Sequence, residues 1–280
     1  MTEMMDAAAA KSMLKTRARD SAKWDYGSVL LMTGSLGMAG AAVLCGRGAL
    51  RAGAGLTRYA VPPELIPILQ TAVPDIMCRE RASVSPHDGY DCAAIGPGLG
   101  DHREDAKIIY RFLHEYDGKI VLDADGINDI VRYGMQEDLR SSCADIIVTP
   151  HMGEAARLLG IKRAEDREKC AVEIAEMYGV TAVVKGPGTI TASPDGRVRM
   201  NTTGNPGLAV GGTGDVLTGI TAALFAQGYS AFDAASLAVF IHGMAGDRCA
   251  ARLGEAGMCA SDLPVEAALA LKYIIESEKE

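Results

Sequence analysis

The sequence predicts an α/β fold in which a largely parallel sheet carries helices on both faces. Short apolar runs alternate along the chain with longer amphipathic stretches, which is the pattern of βαβ units. Most of the apolar runs end in a turn that contains glycine, proline or aspartate. At 280 residues, the chain is long enough to bury a core without metal or disulfide support.

The predicted strands are short apolar runs that stop at a turn. Residues 29–32 end at Thr33-Gly34-Ser35, and residues 56–61 end at Pro62-Pro63. Further strands are predicted at 92–95, 120–122, 145–148 and 181–184, and a hairpin at 189–192 and 198–200. Most of the polar and glycine-rich motifs follow these strands, and ligands bind beyond the carboxyl ends of parallel strands. The pattern therefore predicts a site at that edge of the sheet.

Helices are predicted where apolar residues recur at helical spacing. In one stretch, apolar residues at 171, 174, 175 and 178 share one helix face. The predicted helices cover 40–52, 103–116, 153–159, 165–178, 212–226, 232–251 and 264–277. No repeat or linker divides the chain, so residues 26–280 are predicted to form one domain. Residues 1–25 are polar and alanine-rich, and are predicted to form an arm outside the core.

Composition excludes several classes of protein. The formal net charge is −8, and no run of basic residues occurs, which argues against nucleic acid as the main partner. No apolar stretch approaches the length of a membrane span, so no membrane association is expected. The seven cysteines are scattered without a CxxC pair, and the N-terminus lacks the apolar segment of a secretory signal. A cytoplasmic location is expected.

A glycine-rich loop at residues 211–215 opens a predicted helix. The backbone N–H groups of Gly212, Thr213 and Gly214 would face an anion together with the positive end of the helix dipole. Asp215 in the first helical turn is either a general base at this anion hole or a dipole-favourable start of the helix. The loop lacks the lysine of a P-loop.

Two further strand ends carry polar residues. Lys185 precedes Gly186-Pro187-Gly188-Thr189. This segment can bind a phosphate through the lysine charge, the backbone N–H groups and the threonine hydroxyl. Alternatively, it is an ordinary turn beside a solvated lysine. Asp123 and Asp125 can bind Mg²⁺, usually through waters, although Asp125 is equally suited to cap the next helix.

Among the five histidines, His151 alone stands between a strand end and a glycine, and Glu154 follows it. Glu154 either orients a water on a metal or begins a helix. His242 lies in an apolar helix and is interpreted as a hydrogen-bonded core histidine. The turn at residues 96–100 lacks the GxGxxG spacing, and no GxSxG motif occurs, so neither a dinucleotide fingerprint nor an α/β-hydrolase is indicated.

Taken together and in this order, the motifs resemble the NAD(P)H-hydrate dehydratase family of the ribokinase-like superfamily. The matching segments are GSLGMAGAAVLCGRGALRAGAGL (34–56), IGPGLG (95–100), VLDADGIN (121–128), TPHMGEAARLLG (149–160), VVKGPGTITASPDG (183–196) and NTTGNPGLAVGGTGDVLTG (201–219). Departures from the family pattern occur at Gly126, Met152, Leu208 and Val210. None of them removes a polar group that the chemistry needs.

The resemblance implies a ribokinase-like three-layer sandwich and a repair enzyme. Such enzymes restore the S-epimer of hydrated NADH or NADPH by ADP-dependent phosphorylation of the ring hydroxyl and elimination of phosphate, with Mg²⁺ on the nucleotide. By resemblance, Asp215 is the catalytic base and a substrate-binding residue, and Ala42, Gly98 and His151 also hold the hydrated dinucleotide. The residues from Lys185 to Thr189, with Gly214, match the nucleotide-binding positions. Asp123 and Glu154 are at most indirect metal ligands.

The resemblance also implies a homotetramer, and no epimerase activity is expected from a chain of this length. Two alternatives remain open. A kinase acting on hydroxymethylpyrimidine or hydroxyethylthiazole would share the glycine-rich loop and the aspartate base, but would leave a stable phosphorylated product. A non-catalytic nucleotide-binding regulator would bind nucleotide without turnover.

Overall fold

The computed structural model describes residues 2–277. In chain order, its strands are β1 (Glu3–Met5), β2 (Ser28–Met32), β3 (Leu56–Val61), β4 (Met77–Glu80), β5 (Cys92–Ile95), β6 (Lys119–Leu122), β7 (Asp145–Val148), β8 (Thr181–Val184), β9 (Ile190–Ala192) and β10 (Val198–Asn201). They form one sheet in the order β1-β10-β9-β8-β7-β6-β5-β2-β3-β4. Only β9 runs antiparallel to its neighbours.

The sheet is covered by α-helices. They are α1 (Ala7–Met13), α2 (Ala39–Arg51), α3 (Ile66–Ala72), α4 (Arg103–Glu115), α5 (Ala124–Arg132), α6 (Gln136–Ser141), α7 (Met152–Leu158), α8 (Arg167–Tyr178), α9 (Thr213–Ala226), α10 (Ala231–Leu253) and α11 (Leu263–Glu276). Short 3₁₀ turns connect some of them. Within residues 2–277, every helix is too short or too polar to cross a bilayer.

The core forms two layers, one on each face of the sheet. Val29 and Leu31 of β2 pack with α2, α9, α10 and α11, whereas Leu30 and Met32 pack with α4 to α8. Successive side chains of a strand point to opposite faces, so a strand covered on both sides must be continuously apolar. This arrangement confirms the predicted parallel α/β sandwich and explains the short unbroken apolar runs.

Close contact between α2 and α9 depends on glycine. A Cβ atom on Gly219 would lie 1.9 Å from the carbonyl oxygen of Cys45, and one on Gly48 would lie 2.5 Å from that of Val216. Any side chain at these positions would push the helices apart. The contact sets the depth of α9 against the sheet, and therefore the position of the glycine-rich loop at its N-terminus.

The N-terminal segment is more tightly integrated than the sequence predicts. Glu3–Met5 pairs in parallel with β10, Met5 is 1% exposed and Ala10 of α1 is fully buried. The expectation that residues 1–25 lie outside the core is therefore wrong for these positions; residue 1 is outside the described residues. β1 is a strand because its three residues hydrogen-bond to the free edge of β10. The local sequence of β1 does not indicate this pairing. The division into an arm and one domain stays a prediction.

Candidate active site

The glycine-rich loop forms the N-terminus of α9. Gly212 has a φ of +95°, the left-handed conformation that favours glycine, and Thr213 begins the helix. The first N–H groups of a helix have no partner within it, so this end can bind an anion. His242 holds the loop, since its Nε2–H donates to the carbonyl oxygen of Thr213 over 3.0 Å. The predicted core histidine is thus confirmed as buried and hydrogen-bonded.

Asp123 lies at the centre of a polar network that joins two strand ends to α9. Its side chain is buried, and its Oδ1 lies 2.6 Å from Lys185 Nζ. Its Oδ2 accepts a hydrogen bond of 2.6 Å from Thr218 Oγ1. Gly214 is close to this ion pair, since a Cβ atom added to it would lie 3.5 Å from Lys185 Nζ. The fold therefore brings together Asp123, Lys185, Gly214 and Asp215, which are up to 92 positions apart in sequence (215 − 123).

The carboxylate of Asp215 is poised to exchange a proton near neutrality. Burial and the negative charge of Asp123 raise its pKa from the ordinary value of 3.8 to about 7, although the positive charge of Lys185 acts in the opposite direction. Burial disfavours the ammonium of Lys185, but the charges of Asp123 and Glu154 outweigh this effect and raise its pKa, so it remains a cation. A base whose pKa lies near the working pH is well matched to proton transfer.

A cleft of about 670 Å³ opens beside this network. Its lining contains all six predicted nucleotide-binding residues, namely Lys185, Gly186, Pro187, Gly188, Thr189 and Gly214. The opposite wall consists of residues 201–206 with Leu208 and Ala209, and α10 contributes Val239, His242 and Gly243. Clefts of this size hold ligands as large as a nucleotide.

The α10 residues of this wall were not identified as functional from the sequence. The signal in the sequence that could have identified them is His242 followed by Gly243 and Gly246. Small residues on one helix face let a neighbouring loop approach closely.

The predicted dinucleotide-binding residues lie outside the lining of this cleft. Ala42 is fully buried in α2, and its carbonyl oxygen accepts a 2.9 Å hydrogen bond from Tyr59. Gly98 faces the start of α2, where a Cβ atom would lie 2.8 Å from Ala41 Cβ. His151 is exposed and caps α7, with its Nδ1 accepting from the N–H of Gly153 at 2.9 Å. Their roles stay predictions.

His151 is nevertheless linked to the cleft. Its backbone forms an isolated parallel bridge with Lys185, adjacent to the end of β8. Gly98 and Ala42 follow β5 and β2, so all three predicted residues share the carboxyl edge of the sheet with Asp215.

Known proteins are similar to this chain over most of its length. A family model described as NAD(P)H-hydrate dehydratase matches residues 29–267. The chain belongs to the NAD(P)H-hydrate dehydratase family. The ADP-dependent (S)-NAD(P)H-hydrate dehydratase of Neisseria meningitidis is 36% identical over 257 residues, which cover 90% of this chain and 87% of the relative.

Other members of the NAD(P)H-hydrate dehydratase family are longer. The bifunctional NAD(P)H-hydrate repair enzyme Nnr of Coxiella burnetii is 41% identical over 258 residues, which cover 90% of this chain but 51% of the relative. The chain thus spans about half the length of that protein. A solved structure of the ADP/ATP-dependent NAD(P)H-hydrate dehydratase of Bacillus subtilis, co-crystallised with ATP/Mg²⁺, has a TM-score of 0.87 and 28% identity, and covers 98% of this chain and 99% of that one.

The residues present do not fit a Mg²⁺ ion held directly by the protein. Both oxygens of Asp123 already have partners, and Glu154 accepts a 2.8 Å hydrogen bond from the N–H of His151. Asp125 accepts from the N–H of Gly100 at 2.8 Å. It lies inside α5, whose N-cap residue is Asp123, so its predicted alternative as a helix cap is wrong. Within residues 2–277, no three acidic, histidine or cysteine side chains form a metal-binding group.

Proposed function

We propose that this chain catalyses the ADP-dependent dehydration of the S-epimer of hydrated NADH or NADPH, giving NADH or NADPH, AMP and phosphate. The observation that carries the proposal is the position of Asp215. Its carboxylate, with a pKa of about 7, stands beside the anion-binding end of α9 and next to a cleft lined by the six nucleotide-binding positions. The name of the Neisseria relative supports ADP as the phosphoryl donor.

In the first step, Asp215 accepts the proton of the ring hydroxyl, and the hydroxyl oxygen attacks the β-phosphorus of ADP. The bond between that phosphorus and the bridging oxygen breaks, and AMP leaves. The N–H groups of Gly212, Thr213 and Gly214 stabilise the charge on the transferring group, since positioning and electrostatics supply most of phosphoryl-transfer catalysis.

In the second step, the ring nitrogen supplies the electron pair that expels phosphate from the neighbouring carbon. The next ring carbon then loses a proton to solvent, and its C–H electron pair forms the double bond that restores the reduced nicotinamide. The oxygen that leaves with the phosphate is the oxygen of the original hydrate, so the net change is loss of water from the ring and hydrolysis of ADP. Phosphorylation is needed because hydroxide is a poor leaving group, whereas phosphate is a good one.

The remaining parts of the proposal concern the setting of the reaction. Mg²⁺ is proposed to arrive on the nucleotide, because this ion keeps several waters and binds phosphates readily. A homotetramer in the cytoplasm, without nucleic-acid or membrane partners, remains a prediction.

The decisive assay mixes the purified chain with hydrated NADH, Mg²⁺ and either ADP or ATP, and follows the absorbance of reduced nicotinamide. We expect recovery with ADP, and one AMP and one phosphate per NADH formed. Asp215→Asn should lower kcat by at least about a hundredfold, since a positioned base contributes about 10² to 10⁴ in rate. ADP should still bind to this variant.

Asp233→Asn provides the matched control. Asp233 is the third residue of α10, just as Asp215 is the third residue of α9, but it pairs with Arg199 on another part of the surface. If both variants keep normal turnover, Asp215 only favours the start of its helix. If neither nucleotide restores absorbance, the small-alcohol kinase becomes the better assignment.

A further inference from the structure

One face of α10 forms the support of the nucleotide cleft. Residues 239, 242, 243, 246 and 247 have the spacing of a single helix face. Three of them, Val239, His242 and Gly243, line the cleft. The other two lie beneath the loop that forms the opposite wall, which we define as residues 203–209 and term the wall loop.

The wall loop approaches α10 closely because two of these residues are glycines. A Cβ atom on Gly243 would lie 2.2 Å from Thr203 Oγ1, and one on Gly246 would lie 2.8 Å from the side chain of Leu208. Both Thr203 and Leu208 line the cleft. The absence of side chains at Gly243 and Gly246 therefore sets how closely the wall loop approaches α10.

Asp247 fixes the wall loop by hydrogen bonds. Its Oδ2 accepts from the N–H of Gly204 and its Oδ1 accepts from Nδ2 of Asn205, both over 2.9 Å. Asn205 in turn accepts a 2.9 Å bond from the N–H of Gly207, so the orientation of its amide is fixed from both ends. Gly204 and Asn205 both line the cleft. Each oxygen of one carboxylate thus holds a different part of the wall.

We propose that Asp247 is a positioning residue for the nucleotide: it holds the wall loop in the shape that accepts ADP. This inference rests on the proposed function, which supplies ADP as the ligand. Asp247 acts through Gly204 and Asn205, since its own side chain is not part of the cleft lining. Hydrogen bonds to a charged acceptor are stronger than those between neutral groups, so their loss releases the loop.

The test compares Asp247→Asn and Asp247→Ala with the unsubstituted full-length chain. Asparagine keeps the size of the side chain but turns an NH₂ group toward one of the two donors, so one hydrogen bond is lost; alanine loses both. We expect the Kd of Mg·ADP, measured by calorimetry, to rise about tenfold per lost bond, which corresponds to about 1.4 kcal/mol. The KM for ADP should rise in parallel.

The remaining kinetic constants separate positioning from a general loss of structure. At saturating ADP, kcat and the KM for hydrated NADH should stay within about twofold of their original values. Asp233→Asn, at the other end of α10, is the control and should bind ADP normally. The asparagine variant keeps the test available if the alanine variant does not fold.

Three results would count against the inference. Equal ADP affinities for the unsubstituted chain and both variants would overturn it and leave the proposed function intact. An equal loss in every kinetic constant would also overturn it, because this would show a structural role alone. If the unsubstituted chain does not bind ADP, the proposed function fails and the inference fails with it.

Discussion

The kcat/KM of the proposed reaction should fall in acid with a midpoint near pH 7. Asp215 must be deprotonated to accept the hydroxyl proton, and burial together with the charge of Asp123 raises its pKa to about 7. At pH 6, about one eleventh of the molecules would carry the active carboxylate, and each further pH unit would lower the rate about tenfold. An ordinary aspartate, with a pKa of 3.8, would still be almost fully ionised at pH 6.

Initial rates of phosphate release, measured at low hydrate concentration between about pH 5.5 and 9, would show this profile for the free enzyme. Asp123→Asn removes a charge that raises the pKa of Asp215, so the midpoint should move to lower pH. The midpoint is the informative quantity, because a partial loss of folded protein changes the amplitude and leaves the midpoint in place. Asp233→Asn should leave the midpoint unchanged.

A rate that stays constant down to pH 5.5 would refute the reasoning. It would mean either that Asp215 has an ordinary pKa or that it does not transfer the proton. A midpoint that Asp123→Asn leaves unmoved would refute the electrostatic part alone.

Two further predictions concern the cation and the histidine beside the cleft. Lys185→Ala should raise the KM for ADP, and should move the pH midpoint upward because the charge of Lys185 lowers the pKa of Asp215. His242→Gln should make the free energy of unfolding less sensitive to acid. Burial lowers the pKa of His242 from 6.5 to about 4. As pH falls from 6.5, the unfolded chain therefore takes up a proton at this position before the folded chain does. That difference lowers the free energy of unfolding by about 3 kcal/mol at pH 4, and urea unfolding at several pH values would measure it in both proteins.

An unchanged KM for ADP would show that Lys185 does not hold the nucleotide. For His242, the free energy of unfolding is plotted against pH for the unsubstituted chain and for His242→Gln. Parallel curves would contradict the expected burial of a neutral ring.

Much of the fold could be predicted because the central strands are buried on both faces. Such strands must be apolar throughout, and turns rich in glycine or proline mark their ends. The edge strands lack this property. Three of the four residues of β4 are exposed, and β1 has only three residues, so neither shows a pattern that a sequence can reveal.

The candidate site could be predicted in part for a topological reason. Parallel strands place their carboxyl ends together, so Lys185 and Asp123, each at the end of a strand, meet without any further information. Contacts that depend on helix packing could not be foreseen. The hydrogen bond from Thr218 to Asp123 joins residues 95 positions apart, and the bonds of Asp247 to the wall loop depend on the depth of α10.

The pairing of β1 with β10 has a consequence for the order of events during synthesis. Glu3 and Arg199 are 196 positions apart, so β1 can take its place in the sheet only after β10 has been made. At about 5 to 20 residues per second, this interval lasts at least about 10 s. Throughout that time β1 lacks the strand with which it pairs. Thr202, which lines the cleft, donates its hydroxyl to the carbonyl oxygen of Met5 over 2.7 Å, so this part of the cleft wall is complete only after β1 has paired with β10.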